Sequence, residues 1–198
     1  INRKKMLSLK ESLKILKETR ALLEGHFILS SGLHSPQYVQ CAQLMSKPYM
    51  AHQICESLSF KVQNEFKDFD LILSPAMGGI VIGYEIGRLL KKETIFSERV
   101  NGELKLRRDF SIKKNQKVLI MEDVITTGKS SLECAKIVEN NHAKVIGFAC
   151  IIDRTNGKSL LKEKIISQVK LNIPTYSKNE IPKDLLAIAA VKPGSRNL

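Results

Sequence analysis

The sequence predicts an α/β fold, a parallel sheet flanked by helices on both faces. Three observations carry that expectation. Residues 71–73, 118–121 and 145–152 form short apolar runs without polar alternation, as strands covered on both faces do. Stretches of helical periodicity lie between these runs, the order of strand and helix that builds a parallel sheet. The first two runs each lead into a glycine- or hydroxyl-bearing turn that opens a helix, which places polar groups at the carboxyl edge of the sheet.

Taken in order, Leu9, Leu13, Leu16 and Leu23 form one stripe and predict an amphipathic helix over residues 9–23, ended by Gly25. Residues 27–44 mix serine, glycine and proline with short apolar pieces. They are expected to form a loop and a strand away from the main sheet, a small N-terminal hood. Ser46 as cap and Pro48 in the first turn open a helix that reaches about Phe66. A strand at 71–73, a loop at 74–79 and a helix at 80–90 follow. Strands near 94–97 and 104–106 bracket Asn101-Gly102, a strong hairpin signal, so Arg99, Lys105, Arg107 and Arg108 ride on a projecting two-stranded arm. Beyond the strand at 118–121, Leu132, Ala135, Ile137 and Val138 recur at helical spacing. The run 145–152 is interrupted only by Gly147.

With 198 residues the chain is expected to form one domain over 1–198, and its hydrophobic content of 43% fits a globular protein. No apolar run approaches the roughly 18 residues of a membrane span. Cys41, Cys55, Cys134 and Cys150 are scattered without a paired spacing, so they read as small core residues in a reducing cytoplasm. His26, His34, His52 and His142 show no metal spacing either. The sequence opens on Ile1, which leaves the native start open, and nothing resembles a cleaved signal peptide. The net charge of +12 raises nucleic acid as a partner, but Lys10, Lys14 and Lys17 are spread along a helix without interleaved aromatics. A solvated basic surface with an anionic-substrate site is the favoured reading.

The run VLIMEDVITTGKSS, residues 118–131, says most about chemistry. Glu122 and Asp123 follow the apolar strand, and residues 126–130 fall at a helix N-terminus, where free amides and the dipole favour a phosphate. Gly128 lets the backbone come close, while Thr126, Thr127, Ser130 and Ser131 offer hydroxyls. The carboxylates would repel a phosphate and suit vicinal sugar hydroxyls or magnesium. Gly128-Lys129-Ser130 resembles the end of a Walker A loop, but the leading glycine would have to stand where Asp123 does. A capped strand-to-helix turn with no ligand would look similar, although the paired acids argue against it. Ser74-Pro-Ala-Met-Gly-Gly79 is a second anion-ready turn, or a glycine turn needed only for packing.

Residues 118–131 resemble the phosphoribosyl-diphosphate (PRPP) signature of type I phosphoribosyltransferases. The resemblance implies that Glu122 and Asp123 hold the ribose hydroxyls and that the turn Val124, Ile125, Thr126, Thr127, Gly128, Lys129 and Ser130 wraps the 5-phosphate. It gives the diphosphate to Ala76, Met77, Gly78 and Gly79. The hairpin becomes a mobile lid whose Arg99, Lys105, Arg107 and Arg108 act in catalysis beside Asp123; a hairpin whose charges serve solubility is the plainer reading. Leu29-Ser-Ser-Gly-Leu-His-Ser-Pro-Gln-Tyr38 resembles the segment that sets the orotate branch of the family apart. The usual lysine before the Ser-Gly pair is Ser30 here and an arginine after it is Leu33, as in a distinct branch. Ser30, Ser31, Gly32 and Tyr38 are implied to meet orotate together with Thr126 and Arg154, whose guanidinium would take the orotate carboxylate unless it merely pairs with Asp153. Purine-specific relatives usually carry an aspartate in place of Thr126. The implied activity is transfer of phosphoribosyl from PRPP to orotate, giving orotidine 5′-phosphate and diphosphate. Magnesium is expected through PRPP with no metal ligands of the protein's own, in a cytoplasmic homodimer whose lid reaches the neighbouring site. A purine phosphoribosyltransferase and a nucleic-acid-binding regulator on the same fold are the alternatives.

Overall fold

The structure, a computed structural model, describes residues 6–193. A six-stranded sheet in the order β5-β4-β3-β6-β7-β8 forms its centre. The parallel strands are β3 (Leu71–Pro75), β4 (Glu93–Val100), β6 (Lys117–Ile125), β7 (Lys144–Asp153) and β8 (Ile165–Lys170), and β5 (Glu103–Leu106) runs antiparallel at the edge. Strand alternation sorts the core into two layers. Ile72, Leu119, Met121, Ala149 and Ile151 pack towards α1 (Leu9–Glu18), α3 (Pro48–Glu65) and α4 (Gly78–Leu90). Leu71, Leu73, Val118, Ile120, Phe148 and Cys150 pack towards Cys134, Ala135 and Val138 of α5 (Lys129–Asn140). Both faces are covered, so the strands read as continuous apolar runs. All four cysteines are free and buried within these layers.

Several boundaries differ from the sequence expectation. The first helix stops at Glu18 rather than near Leu23. The Thr19 hydroxyl turns back to the Ile15 carbonyl (2.7 Å) and Arg20 adopts φ 62°, which breaks the helix. Its buried face is Ser12, Ile15 and Leu16, while Leu9 is exposed. Leu23 and Gly25 instead belong to β1 (Leu22–Ile28), which pairs antiparallel with β2 (His34–Val39) in a separate two-stranded sheet. Ser46 closes the short α2 (Cys41–Met45) and does not cap α3, whose N-cap is Lys47; Pro48 does sit in its first turn. The strand expected at 118–121 runs on to Ile125 because β7 continues to pair with it as far as Ile125↔Asp153. Glu122 and Asp123 therefore lie inside β6. The 74–79 loop shrinks to Ala76 and Met77, since β3 holds Ser74 and Pro75 and α4 starts at Gly78.

β8 carries no apolar run and was not expected. The Lys61 ammonium donates to the Ser167 and Gln168 carbonyls (3.2 and 3.0 Å) and helps hold this strand. Past it, the chain crosses to the small sheet: Tyr176 bridges β2 at His34 and Val191 bridges β1 at Phe27. α6 (Lys183–Leu186) lies between those two bridges. Among the described residues no helix is long and apolar enough to cross a membrane.

Candidate active site

The acids on β6 and the glycine loop after β3 meet at the carboxyl edge of the sheet. Gly78 approaches the Asp123 carboxylate so closely that a Cβ there would come within 2.7 Å of both its oxygens. Gly79 lies over the Met121 carbonyl with similar lack of room, 2.9 Å from a built Cβ. Backbone contact alone demands glycine at Gly79, while a side chain at Gly78 would have to displace the Asp123 carboxylate. The Ala76 amide donates to the Ser97 carbonyl (2.8 Å), which ties the loop to β4; the Ala76–Met77 peptide is cis, and the Met77 side chain is exposed.

Glu122 is buried, and desolvation pushes its pKa up to about 8, with the neighbouring Asp123 charge adding to the rise and the Ser131 hydroxyl opposing it. Burial likewise raises Asp123, against hydrogen bonds from backbone amides including Val124 N–H (2.8 Å). No side-chain cation is among the influences on either acid. Such a pair suits donors that arrive with a ligand, hydroxyls or a hydrated cation. Among the described residues no three His, Cys, Asp or Glu side chains are grouped to hold a metal ion.

Glu122, Val124, Ile125, Thr126, Thr127, Gly128, Lys129, Ser130 and Ser131 line a small half-open cavity of about 70 Å³. That is roughly two water volumes, given about 30 Å³ per water in the liquid, so it fits one oxyanion group and not a whole nucleotide. Gly128 at φ 82° is the N-cap of α5, and the first residues of that helix, Lys129, Ser130 and Ser131, line the cavity. The turn is closed from outside by residues that sequence reasoning missed. Leu160 N–H donates to the Thr127 carbonyl (3.2 Å), and the Leu161 side chain packs where a Gly128 Cβ would project. Nothing in the local pattern of residues 158–164 signals this role.

Arg154 follows β7, and its amide donates to the Ile125 carbonyl (2.8 Å), so it adjoins the acid-bearing strand. Its Nε is buried without a hydrogen-bond partner, and desolvation lowers its pKa. Among the described residues Arg154 forms no ion pair with Asp153, whose Oδ1 accepts from the Thr155 amide (2.8 Å). α2, which follows the small sheet, reaches the acid-bearing strand through Cys41, whose thiol faces the Asp123 carbonyl at 3.9 Å. Ser30, Ser31 and Gly32 form an exposed turn with local bonds only, Gly32 N–H to Leu29 O (2.9 Å) and Leu33 N–H to Ser31 Oγ (3.4 Å). Tyr38 is half-buried with its ring 5.8 Å from that of Phe27.

The basic hairpin extends the sheet edge. Asn101 and Gly102 carry the positive φ of its turn (51° and 86°), as its sequence required, and Leu104 is buried. Its cations are mostly engaged elsewhere than at the acids. Arg99 pairs with Glu133 of α5 (3.0 Å) and also donates to the Gly102 carbonyl, Arg108 pairs with Glu98 (2.8 Å) over the Phe96 ring, and Lys105 pairs with Glu103 (3.2 Å). Arg107 has no ion pair among the described residues.

This geometry defines an open α/β domain whose ligand crevice lies at the carboxyl ends of β3, β6 and β7, with an acid pair, a glycine loop and a helix N-terminus converging there. The match to known proteins is more specific. Residues 43–184 match the phosphoribosyl transferase domain family. An orotate phosphoribosyltransferase from Parvibaculum lavamentivorans is 45% identical over 189 residues, 93% of this chain and 97% of that protein. The chain belongs to the phosphoribosyltransferase family. Its fold is shared with the crystal structure of orotate phosphoribosyltransferase from Aeropyrum pernix (TM-score 0.70, 22% identity, 80% of this chain and 92% of that one). It is also shared with adenine phosphoribosyltransferase from Thermoanaerobacter pseudethanolicus (TM-score 0.61, 21% identity, 68% and 88%), so the fold alone does not choose the base.

Proposed function

We propose that the protein transfers the phosphoribosyl group of PRPP to orotate, giving orotidine 5′-phosphate and diphosphate. The observation that carries this reading is the 45% identity to an orotate phosphoribosyltransferase along nearly the whole of both chains. The site agrees with it chemically. Glu122 and Asp123 accept hydrogen bonds from the ribose hydroxyls, the 126–130 turn with Val124 and Ile125 receives the 5-phosphate, and residues 76–79 receive the diphosphate. Arg154, with an unpartnered buried Nε, offers its fork to the orotate carboxylate, and Thr126 presents a neutral hydroxyl to the base.

In the reaction the bond from C1 of the ribose to the diphosphate oxygen breaks and a bond from the orotate nitrogen forms. Orotate is already anionic, so no protein nucleophile is needed, and the chain contributes positioning, charge neutralisation and exclusion of water. Arg99, Lys105, Arg107 and Arg108 supply positive charge from the hairpin acting as a lid, with Arg107 the one not already paired among the described residues. Magnesium, carried by PRPP, would neutralise charge on the departing diphosphate. The buried acid pair without a protein cation fits such a partner: Asp123, packed on Gly78, and Glu122 would meet the ion that PRPP brings together with the ribose hydroxyls, without forming a metal site of the protein's own.

The wider reading is a single domain acting in the cytoplasm as a homodimer with the lid shared between subunits. Exposed Val81 and Tyr84, lining a largely apolar cavity of about 400 Å³ between α3 and α4, support an association of copies. Sedimentation at micromolar concentration is expected to give twice the chain mass; a monomer would remove the shared lid.

Purified protein is expected to consume orotate only when PRPP and magnesium are both present. Consumption of a purine in its place would assign the other branch. Neither activity, together with salt-sensitive binding to RNA or DNA, would favour a nucleic-acid-binding regulator. Asp123→Asn and Arg108→Ala are each expected to depress turnover at least tenfold with the fold intact, and unchanged kinetics would remove those two assignments.

A further inference from the structure

The two histidines of the small sheet form a pair that the reaction described above does not use. His26 on β1 is 4% exposed. Its Nδ1 lies 3.0 Å from the Ile188 carbonyl and its Nε2 lies 2.7 Å from Nδ1 of His34, the first residue of β2. The rings are 4.9 Å apart and tilted by 49°, so the contact is edge to edge through nitrogen and not a stack.

The hydrogen bonds fix where the protons sit. A carbonyl only accepts, so His26 Nδ1 carries a hydrogen. One hydrogen then occupies the gap between the rings, given either by His34 to a neutral His26 or by a protonated His26 to His34. In the neutral pair His34 must be the Nδ1–H tautomer. A buried ring nitrogen left without its partner would be unsatisfied, which makes the arrangement selective.

What the pair joins is equally specific. The His34 amide and carbonyl both bond to Tyr176 (2.9 Å each), and the His26 carbonyl accepts from the Val191 amide (2.9 Å). Through Ile188, His26 holds the C-terminal crossing segment as well. The turn carrying Ser30, Ser31 and Gly32 springs from the paired residues Ile28 and His34, two positions beyond His26 on one side and at His34 itself on the other. Within the turn the hydrogen bonds are only local, so its position depends on its roots.

We propose that His26 and His34 are positioning residues for the acceptor substrate. Their shared hydrogen bond ties β2 to β1, His26 Nδ1 carries the tie on to Ile188 of the C-terminal segment, and the pair thereby fixes the Ser30–Gly32 turn that joins the two strands. The proposal rests on the reading that this turn meets orotate.

Substitution at His34 separates positioning from general structure. An asparagine amide nitrogen stands close to where Nδ1 was and can still donate to His26, whereas leucine cannot. Steady-state kinetics on His34→Leu are expected to show the KM for orotate raised at least fivefold, with the KM for PRPP and kcat within twofold of the parent. His34→Asn is expected to recover most of the loss. Equal rises in both KM values, an unchanged orotate KM, or no difference between Asn and Leu would overturn the proposal. If His34→Leu does not fold, nitrogen-15 NMR of histidine in the unsubstituted protein decides. An Nδ1–H His34 coupled to His26 supports the pair, and an Nε2–H His34 with no shared proton overturns it. Absence of orotate turnover in the unsubstituted protein would instead refute the underlying assignment of substrate and leave the NMR result to judge the pair.

Discussion

Glu122 sits buried in the site, where its charged form comes at a cost. Its carboxyl keeps a proton up to about pH 8 in the folded chain, because the charged form is desolvated and faces Asp123. Unfolded, it releases that proton near 4.5, the ordinary value for glutamate. Between those limits the native state binds the extra proton, so the stability of the substrate-free protein falls as pH rises, by up to about 1.4 kcal/mol per pH unit. Glu122→Gln keeps the shape and removes the titration. Its melting temperature is expected to match the parent at pH 5 and to exceed it by several degrees at pH 9, as thermal unfolding without substrate would reveal. Parallel curves for the two proteins across that range would mean that Glu122 does not hold the proton. Next to it, Gly78→Ala pushes a methyl into the Asp123 carboxylate and is expected to reduce turnover at least tenfold. The same change should leave the melting temperature within a few degrees of the parent, because the collision is with a side chain at the crevice and not with the core.

β7 passes under the end of α3 with no room to spare. A Cβ on Gly147 would collide with the ring of Phe66, so the glycine is the room that the ring occupies. Gly147→Ala is expected to destabilise the protein by about 1–3 kcal/mol, and Phe66→Leu in the same chain to restore part of that loss. Additive losses in denaturant unfolding would show that the two do not share the space. In the sequence Gly147 was visible only as a break in an apolar run, since its partner lies 81 positions away. The same distinction explains how far the sequence could be read. β3, β6 and β7 were legible because burial on both faces leaves an unbroken apolar signature, and Asn101-Gly102 was legible because a turn with two positive φ values demands such residues. The acids, the 126–130 turn and Arg154 followed from those strands, each placed just before or after a strand end. β1 and β8 were not legible. Leu-Leu-Glu-Gly-His-Phe-Ile continues a leucine stripe that suits a helix, and β8 has Ser167 and Gln168 at its centre, so their partners decide both. Leu161 over Gly128 belongs to the same class of contact.

At the scale of the whole molecule, the small sheet depends on chain that lies beyond the main sheet in sequence. Both of its edges are paired with the segment after β8: Tyr176 exchanges two hydrogen bonds with His34 on β2, and Val191 exchanges bonds with His26 and Ile28 on β1. Without that segment two strands would be held only by their own pairing and by the packing of Leu22 and Val39 on the core, and a two-stranded sheet is marginal in water. The two packed layers of the main sheet draw almost nothing from residues 174–191, so the two parts are expected to open separately. Proline at Tyr176 and at Val191 removes the amides that donate to His34 and His26, together with the two side chains. In a chain carrying Tyr176→Pro and Val191→Pro, hydrogen exchange is expected to accelerate at least tenfold at Ile28 and His34 and to stay within threefold of the parent in β3, β6 and β7. PRPP binding, which uses the main-sheet crevice, should persist in that chain while orotate binding weakens. Acceleration of both parts together would mean that the small sheet and the main sheet unfold as one unit, and the C-terminal crossing would then serve overall stability and not the acceptor side of the site.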